Sequence, residues 1–209
     1  MKLTEAKLKQ LINEVLEEGM NTVSMLPDDV CVLVMRRAKG FYTVAFADKD
    51  GQVIMPIDSD GTDNDIYGDV SFFTKMDDRQ PCNGTSIIAV TEAADGWGPL
   101  LYDIAMEAAS AMTKGLAPDR NEVSDEARMV WDYYANKRSD VEKSQLDNEY
   151  GDLTPDNPED DCYQHSSRDH RGEDWDKSPL SKMYSKDPTT LNQLRDAGKL
   201  ILKRVNLNF

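Results

Sequence analysis

The chain is poor in the residues that anchor metals and in cysteine, and no apolar run in it is long. It has only three cysteines, Cys31, Cys82 and Cys162, widely spaced and odd in number. Such a set is no disulfide framework and predicts free thiols in a reducing compartment. No stretch approaches the ~20 apolar residues that a spanning helix requires. The N-terminus has no apolar core followed by a small-residue cleavage site, so no secretory signal is expected. Together these absences predict a chain without a membrane partner, working in the cytoplasm of a cell. Positive charge is also short: 24 Lys and Arg stand against 39 Asp and Glu, a formal charge of −15. Phosphate neutralisation needs cations, so nucleic acid is excluded as a general partner. An acidic surface instead attracts cations, either a small cationic amine or a basic protein.

At 209 residues the chain can bury one sizeable core. Leu8, Leu11, Ile12, Val15 and Leu16 recur at helical spacing, which predicts an amphipathic N-terminal helix closed by Gly19. Residues 30–36, 41–47 and 52–57 are β-rich runs separated by turn signals and predict an antiparallel meander. The loop 58–69 holds Asp58, Asp60, Asp63 and Asp65, but lacks the glycine and final glutamate of a calcium loop and reads as solvated. Residues 85–92 form a buried-type strand, then Gly96-Trp97-Gly98-Pro99 leads into a helix with an apolar face through Met112. A short strand at 116–118 precedes a second helix capped by Ser124. Ser139 and Glu142 can form a capping box for a further short helix. Residues 147–177 are too polar to order themselves, and Trp175 is placed as the ring that anchors them. A last helix from Pro188 to Gly198 and a strand over 199–207 end the chain. The expected organisation is a peptide at 1–18, a core at 19–140, an acidic insertion at 141–177, and a completing helix and strand at 178–209.

The unit from Val90 to Ala109 carries the most chemistry. Glycines let a backbone approach a ligand, and unpaired N–H groups at a helix start attract phosphate. The order of elements and the motif resemble the GNAT N-acetyltransferases. Their pyrophosphate motif, Gln/Arg-x-x-Gly-x-Gly/Ala followed by x-x-Leu, is matched at Gly96, Gly98 and Leu101. The resemblance spans residues 28–136, about half the chain. It implies an α/β (α+β) fold with a central mixed sheet flanked by helices, interrupted by the acidic insertion before the last helix and strand. It implies acetyl-CoA held by Val90, Ala93, Asp95, Gly96, Trp97, Gly98 and Leu101, its pantetheine arm between two splayed strands. Glu92 would be the general base, and Tyr134 or Tyr133 the acid that protonates the departing thiolate. The chain departs from the pattern at Ala93, where the family has Gln or Arg, at Pro99, which removes an amide, and at Trp131, which takes the usual tyrosine position. No Lys or Arg lies between Gln80 and Thr113.

Two other features stand beside it. Cys162, His165 and His170 fall close together among carboxylates, but they lack a fourth ligand at a recognisable spacing, and no metal is expected. Residues 1–18 resemble the Lys-rich capsid-targeting peptides of tailed-phage head proteins, which are cut after Leu/Ile-x-Glu. Ile12-Asn-Glu14 and Leu16-Glu-Glu18 fit that pattern. Two functions therefore stand open. One is an N-acetyltransferase moving an acetyl group to a cationic amine. The other is a non-catalytic virion or assembly protein on a degenerate version of the fold, with phage capsid components as partners and the phage head as its location.

Overall fold

The computed structural model describes residues 20–57, 61–74, 82, 84–120, 123–147, 156–158, 160–162, 164 and 175–207. The N-terminal helix, its two cleavage patterns, His165 and His170 lie outside these residues, as does the side chain of Trp175. Among the described residues no helix is long and apolar enough to cross a membrane.

Eight strands form one mixed sheet. In chain order they are β1 (Cys31–Ala38), β2 (Phe41–Ala47), β3 (Gly68–Phe73), β4 (Ser86–Ala93), β5 (Leu116–Ala117), β6 (Val141–Gln145), β7 (Lys182–Lys186) and β8 (Leu200–Lys203). Across the sheet they run β6-β7-β5-β4-β3-β2-β1-β8. Strands β1 to β4 pair antiparallel in sequence, the meander that their turns predict. The third strand differs from expectation. Residues 52–57 make only isolated bridges, Ala47 to Val53 and Ile57 to Asp63, and β3 comes instead from the end of the loop read as solvated. The reason lies in Gly68–Phe73 itself, a short run whose Val70 and Phe72 are fully buried and whose first residues are glycine and aspartate. Those two mask its alternation.

Three helices flank the sheet: α1 (Gly98–Met112), α2 (Asp125–Asn136) and α3 (Thr189–Asp196). Helix α1 lies across β2, β3, β4, β5 and β7 and buries Leu101, Ile104, Ala105, Met106, Ala108 and Ala109 completely. So many small apolar residues let it sit close to the strands. Helix α2 begins where its cap predicts, since the Ser124 hydroxyl accepts from the Ala127 amide. Trp131, Tyr134 and Tyr184 then stack on one another between α2 and β7, with Trp131 and Tyr184 centroids 4.9 Å apart.

Two further expectations are corrected. The capping box at Ser139 and Glu142 does not form, because 141–145 is strand β6, paired along its length with β7. A partner strand about forty residues away offers a full ladder of backbone bonds, and that outweighs a local cap. The three thiols are not all free: Cys82 and Cys162 are joined as a disulfide, while Cys31 is free and buried. The two partners meet at an isolated bridge and share a small apolar cluster with Ile87, Ala117, Leu146 and Met183. A separation of 80 residues hides that meeting from the sequence.

Candidate functional site

Strands β4 and β5 run parallel, but they hold together over only two residue pairs, Ser86 with Leu116 and Ile87 with Ala117. There β5, two residues long, ends. A cleft of about 140 Å³ opens there, walled by Ile88–Thr91 of β4, by Val123, Ser124, Ala127 and Trp131 at α2, and by Asp119 after β5. Tyr102 of α1 closes its inner end, with its ring edge-on to Trp131 at 5.3 Å.

Strand β4 carries an irregularity inside this wall. Ser71 faces Val90 and Phe72 faces Ile88, so Ala89 is an extra residue with no partner on β3. A bulged residue of this kind takes its backbone out of the ladder and re-aims it. One polar group here also lacks a hydrogen-bond partner among the described residues. The Thr91 hydroxyl is buried with none, and the Tyr102 phenol, only 4% exposed, lies beside it. Burial pushes the Tyr102 pKa up, while the Thr91 hydroxyl acts in the opposite direction. Buried polar atoms are rarely left unsatisfied, and one in an apolar cleft marks a place for a ligand or water.

The loop after β4 is held from behind. The Ala94 amide donates to Tyr67, the Trp97 amide donates to Ala94, and the Gly96 carbonyl accepts from Asn21. Trp97 is buried with its ring edge-on to Phe46 at 5.3 Å. Gly96 sits at φ +78°, a turn conformation open to glycine. The amides of Asp95, Gly96 and Gly98 meet no acceptor among the described residues. Ala93, Gly98 and Leu101 are in place around this loop: Ala93 ends β4, Gly98 begins α1, and Leu101 is fully buried beneath it.

Of the acid and base candidates, Glu92 is exposed at the end of β4, opposite Asp69 on β3 and just beyond the cleft wall. Tyr134 is fully buried, and its hydroxyl donates to Asp103 at 2.7 Å and to the Pro99 carbonyl at 3.1 Å. It lies outside the cleft, as does the half-buried Tyr133. The phenol that the cleft does contain is Tyr102. Sequence reasoning missed it because Tyr102 reads as one more apolar position on the α1 face.

The cations that the 80–113 segment lacks arrive from elsewhere. Arg138 lies over the Tyr134 ring and pairs with Asp103 at 2.9 Å and Asp140 at 2.7 Å. Lys186 pairs with Glu107 and lies 3.7 Å from Asp103. With Pro99 and Leu100 these groups line a second cavity of about 260 Å³ beside the start of α1. Hydrogen bonds to Asp140 and then Asp103 raise the Arg138 pKa further, and the Arg138 bond lowers that of Asp140. Both cations are thus already neutralised by the protein's own carboxylates.

Of the metal candidates only Cys162 is among the described residues. The Cys162 sulfur is consumed by Cys82 and cannot serve as a thiolate ligand. Asp147, Asp160 and Asp161 do converge, but beside Arg120, which is fully buried and donates to the Asp147 carbonyl at 2.6 Å. Burial lowers the Arg120 pKa to about 9, against the pull of the Asp147 charge, which partly compensates this guanidinium.

Burial raises the pKa of Tyr102, Tyr134 and Tyr184, and for Tyr134 the Asp103 charge adds to it. A phenol whose folded pKa exceeds its unfolded value supplies stability below pH ~10 that is lost as pH rises further. Arg120 runs the other way, its burial cost easing above pH ~9, but it is one group against three. Absorbance at the tyrosinate band, followed against pH, is expected to rise in two phases. The three buried phenols should ionise only with alkaline unfolding, seen at the same pH in circular dichroism.

Compared with known proteins, the chain matches no family model, no curated sequence and no solved structure.

Proposed function

We propose that the protein is an acyltransferase of GNAT type, moving an acetyl group from acetyl-CoA to a cationic amine. The observation that carries this reading is the cleft beside β4 where its pairing with the two-residue β5 ends, with the buried, unpartnered Thr91 hydroxyl in its wall. The order meander, β4, loop, α1, β5, α2 agrees with it, as do the free amides of Asp95, Gly96 and Gly98 beside the start of α1. Acetyl-CoA would supply an activated thioester. The loop amides would hold its pyrophosphate, and the bulged backbone at Ala89 would donate to the carbonyl oxygen as negative charge develops there. Glu92 would take the proton from the ammonium, the C–N bond would form, and the C–S bond would break. Tyr102, and not Tyr134 or Tyr133, would give its proton to the leaving sulfur, because it is the phenol in the cleft.

Calorimetry with acetyl-CoA tests this. Micromolar binding is expected for the native chain, weakened at least tenfold by Ala127→Trp, which fills the cleft. Tyr102→Phe should leave binding intact and slow acetyl transfer to a polyamine by about 100-fold. Absence of heat at high micromolar acetyl-CoA removes the proposal. The second reading is a non-catalytic assembly protein on the same scaffold. It is favoured by one observation: Arg138 and Lys186, the cations nearest the loop, are spent on Asp103, Asp140 and Glu107.

A further inference from the structure

At the far end of the sheet from the cleft, α1 ends over the open side of β1, β2 and β3, leaving a groove of about 720 Å³. That volume is in the range of small-molecule sites. Arg36 at the end of β1 and Arg204 just past β8 line it, together with Tyr42, Thr74, Thr113 and Asn206. In a chain of charge −15, no carboxylate among the described residues lines this groove. Arg138, Lys186 and Arg120 each have an acidic neighbour. The side chains of Arg36 and Arg204 have no ion pair or hydrogen bond among the described residues.

The backbone adds a second observation. Arg204 sits at φ +59°, the single non-glycine residue with positive φ among the described residues. A bulky side chain in the left-handed region is strained, and such strain gathers where a side chain must be aimed at a ligand. Here the conformation turns the chain out of β8 and sends the Arg204 side chain to the groove that Arg36 faces from β1. The two strands are neighbours, with Met35 paired to Lys203 in parallel register. The groove therefore joins two guanidinium groups without an acidic partner among the described residues, an aromatic ring, two hydroxyl side chains and an amide. Guanidinium groups match phosphate oxygens in a fork geometry that an ammonium cannot reproduce.

We infer that this groove binds a diphosphate-bearing small molecule, held between Arg36 and Arg204. No residue of it belongs to the β4–β5 cleft, so the inference is independent of acetyl-CoA chemistry. The diphosphate could be free or part of a nucleotide, whose base would have the Tyr42 ring available.

The test titrates pyrophosphate, and separately ADP, into the full chain by calorimetry at low salt. Expected is binding of pyrophosphate that Arg36→Gln/Arg204→Gln weakens more than tenfold. The control Arg37→Gln/Lys39→Gln, with the same change of charge outside the groove, should leave it intact. Ala127→Trp, which fills the β4–β5 cleft, should leave pyrophosphate affinity unchanged, which separates this groove from that cleft. Tighter binding of ADP than of pyrophosphate identifies a nucleotide; equal affinities identify the free diphosphate. Arg204→Gly keeps the left-handed backbone and guards against misfolding. It should lose pyrophosphate binding with a melting temperature no lower than that of the native chain. The inference is overturned if neither ligand binds at millimolar concentration, or if the groove variants bind as well as the native chain.

Discussion

Glu107→Ala is expected to destabilise the protein by about 3–5 kcal/mol, enough to unfold much of it near body temperature. Glu107 is 1% exposed, and its two oxygens accept from Lys186, from the Thr189 hydroxyl, and from the Thr190 and Leu191 amides at 2.8 and 2.7 Å. It thus does two jobs. It compensates the Lys186 ammonium, itself 6% exposed, and it satisfies the open amides at the start of α3, where a carboxylate also complements the helix dipole. Truncation strands a buried cation and orphans two amides together. Urea unfolding should show a lower midpoint at unchanged slope. Glu107→Leu/Lys186→Met removes both charges and should recover much of the loss, since a buried pair is more costly to break than to replace. A midpoint within error of native for Glu107→Ala would mean that Lys186 finds compensation from Asp103 alone.

Gly115→Ala should cost about 3 kcal/mol and disturb the sheet where β5 meets β7. A Cβ at that position would stand 2.5 Å from the Tyr184 carbonyl oxygen and 2.9 Å from the Met183 side chain. The first of these is backbone, which cannot swing aside. Tyr184 is also held on its other side, by its hydroxyl bond to Pro179 and its stack on Trp131. The strands must therefore move apart, and the short β5 has only its pairs to β4 and one to β7 with which to resist. Thermal unfolding measures the loss. A melting temperature shifted by less than about 2 °C would show that the strands separate freely.

Much of the fold was legible because its signals are local. The valines of β1, the turn at Lys39-Gly40, the proline at the start of α1 and the Ser124 cap each fix an element within a few residues. Strands β6 and β7 were not legible, since Val141–Gln145 and Lys182–Lys186 are mostly polar and are strands only because they pair with each other. Distance along the chain hid the disulfide in the same way. For the candidate site, the loop glycines could be read directly, but the cleft could not. Its opening depends on where β5 stops pairing, and β5 is two residues long. The chemical partners of the site were hidden for a further reason. Tyr134 looks like an available phenol until Asp103, one helix away, is seen to accept its hydrogen bond.

Strand β8 runs parallel beside β1, Val32 against Leu200 and Met35 against Lys203, so the first described strand waits for nearly the last. A ribosome must deliver the chain through residue 203 before that edge can be covered. Until then β1 presents a valine-rich border to any other nascent copy, and aggregation during synthesis is the hazard. Shortening the chain by its final ten residues would make that transient exposure permanent.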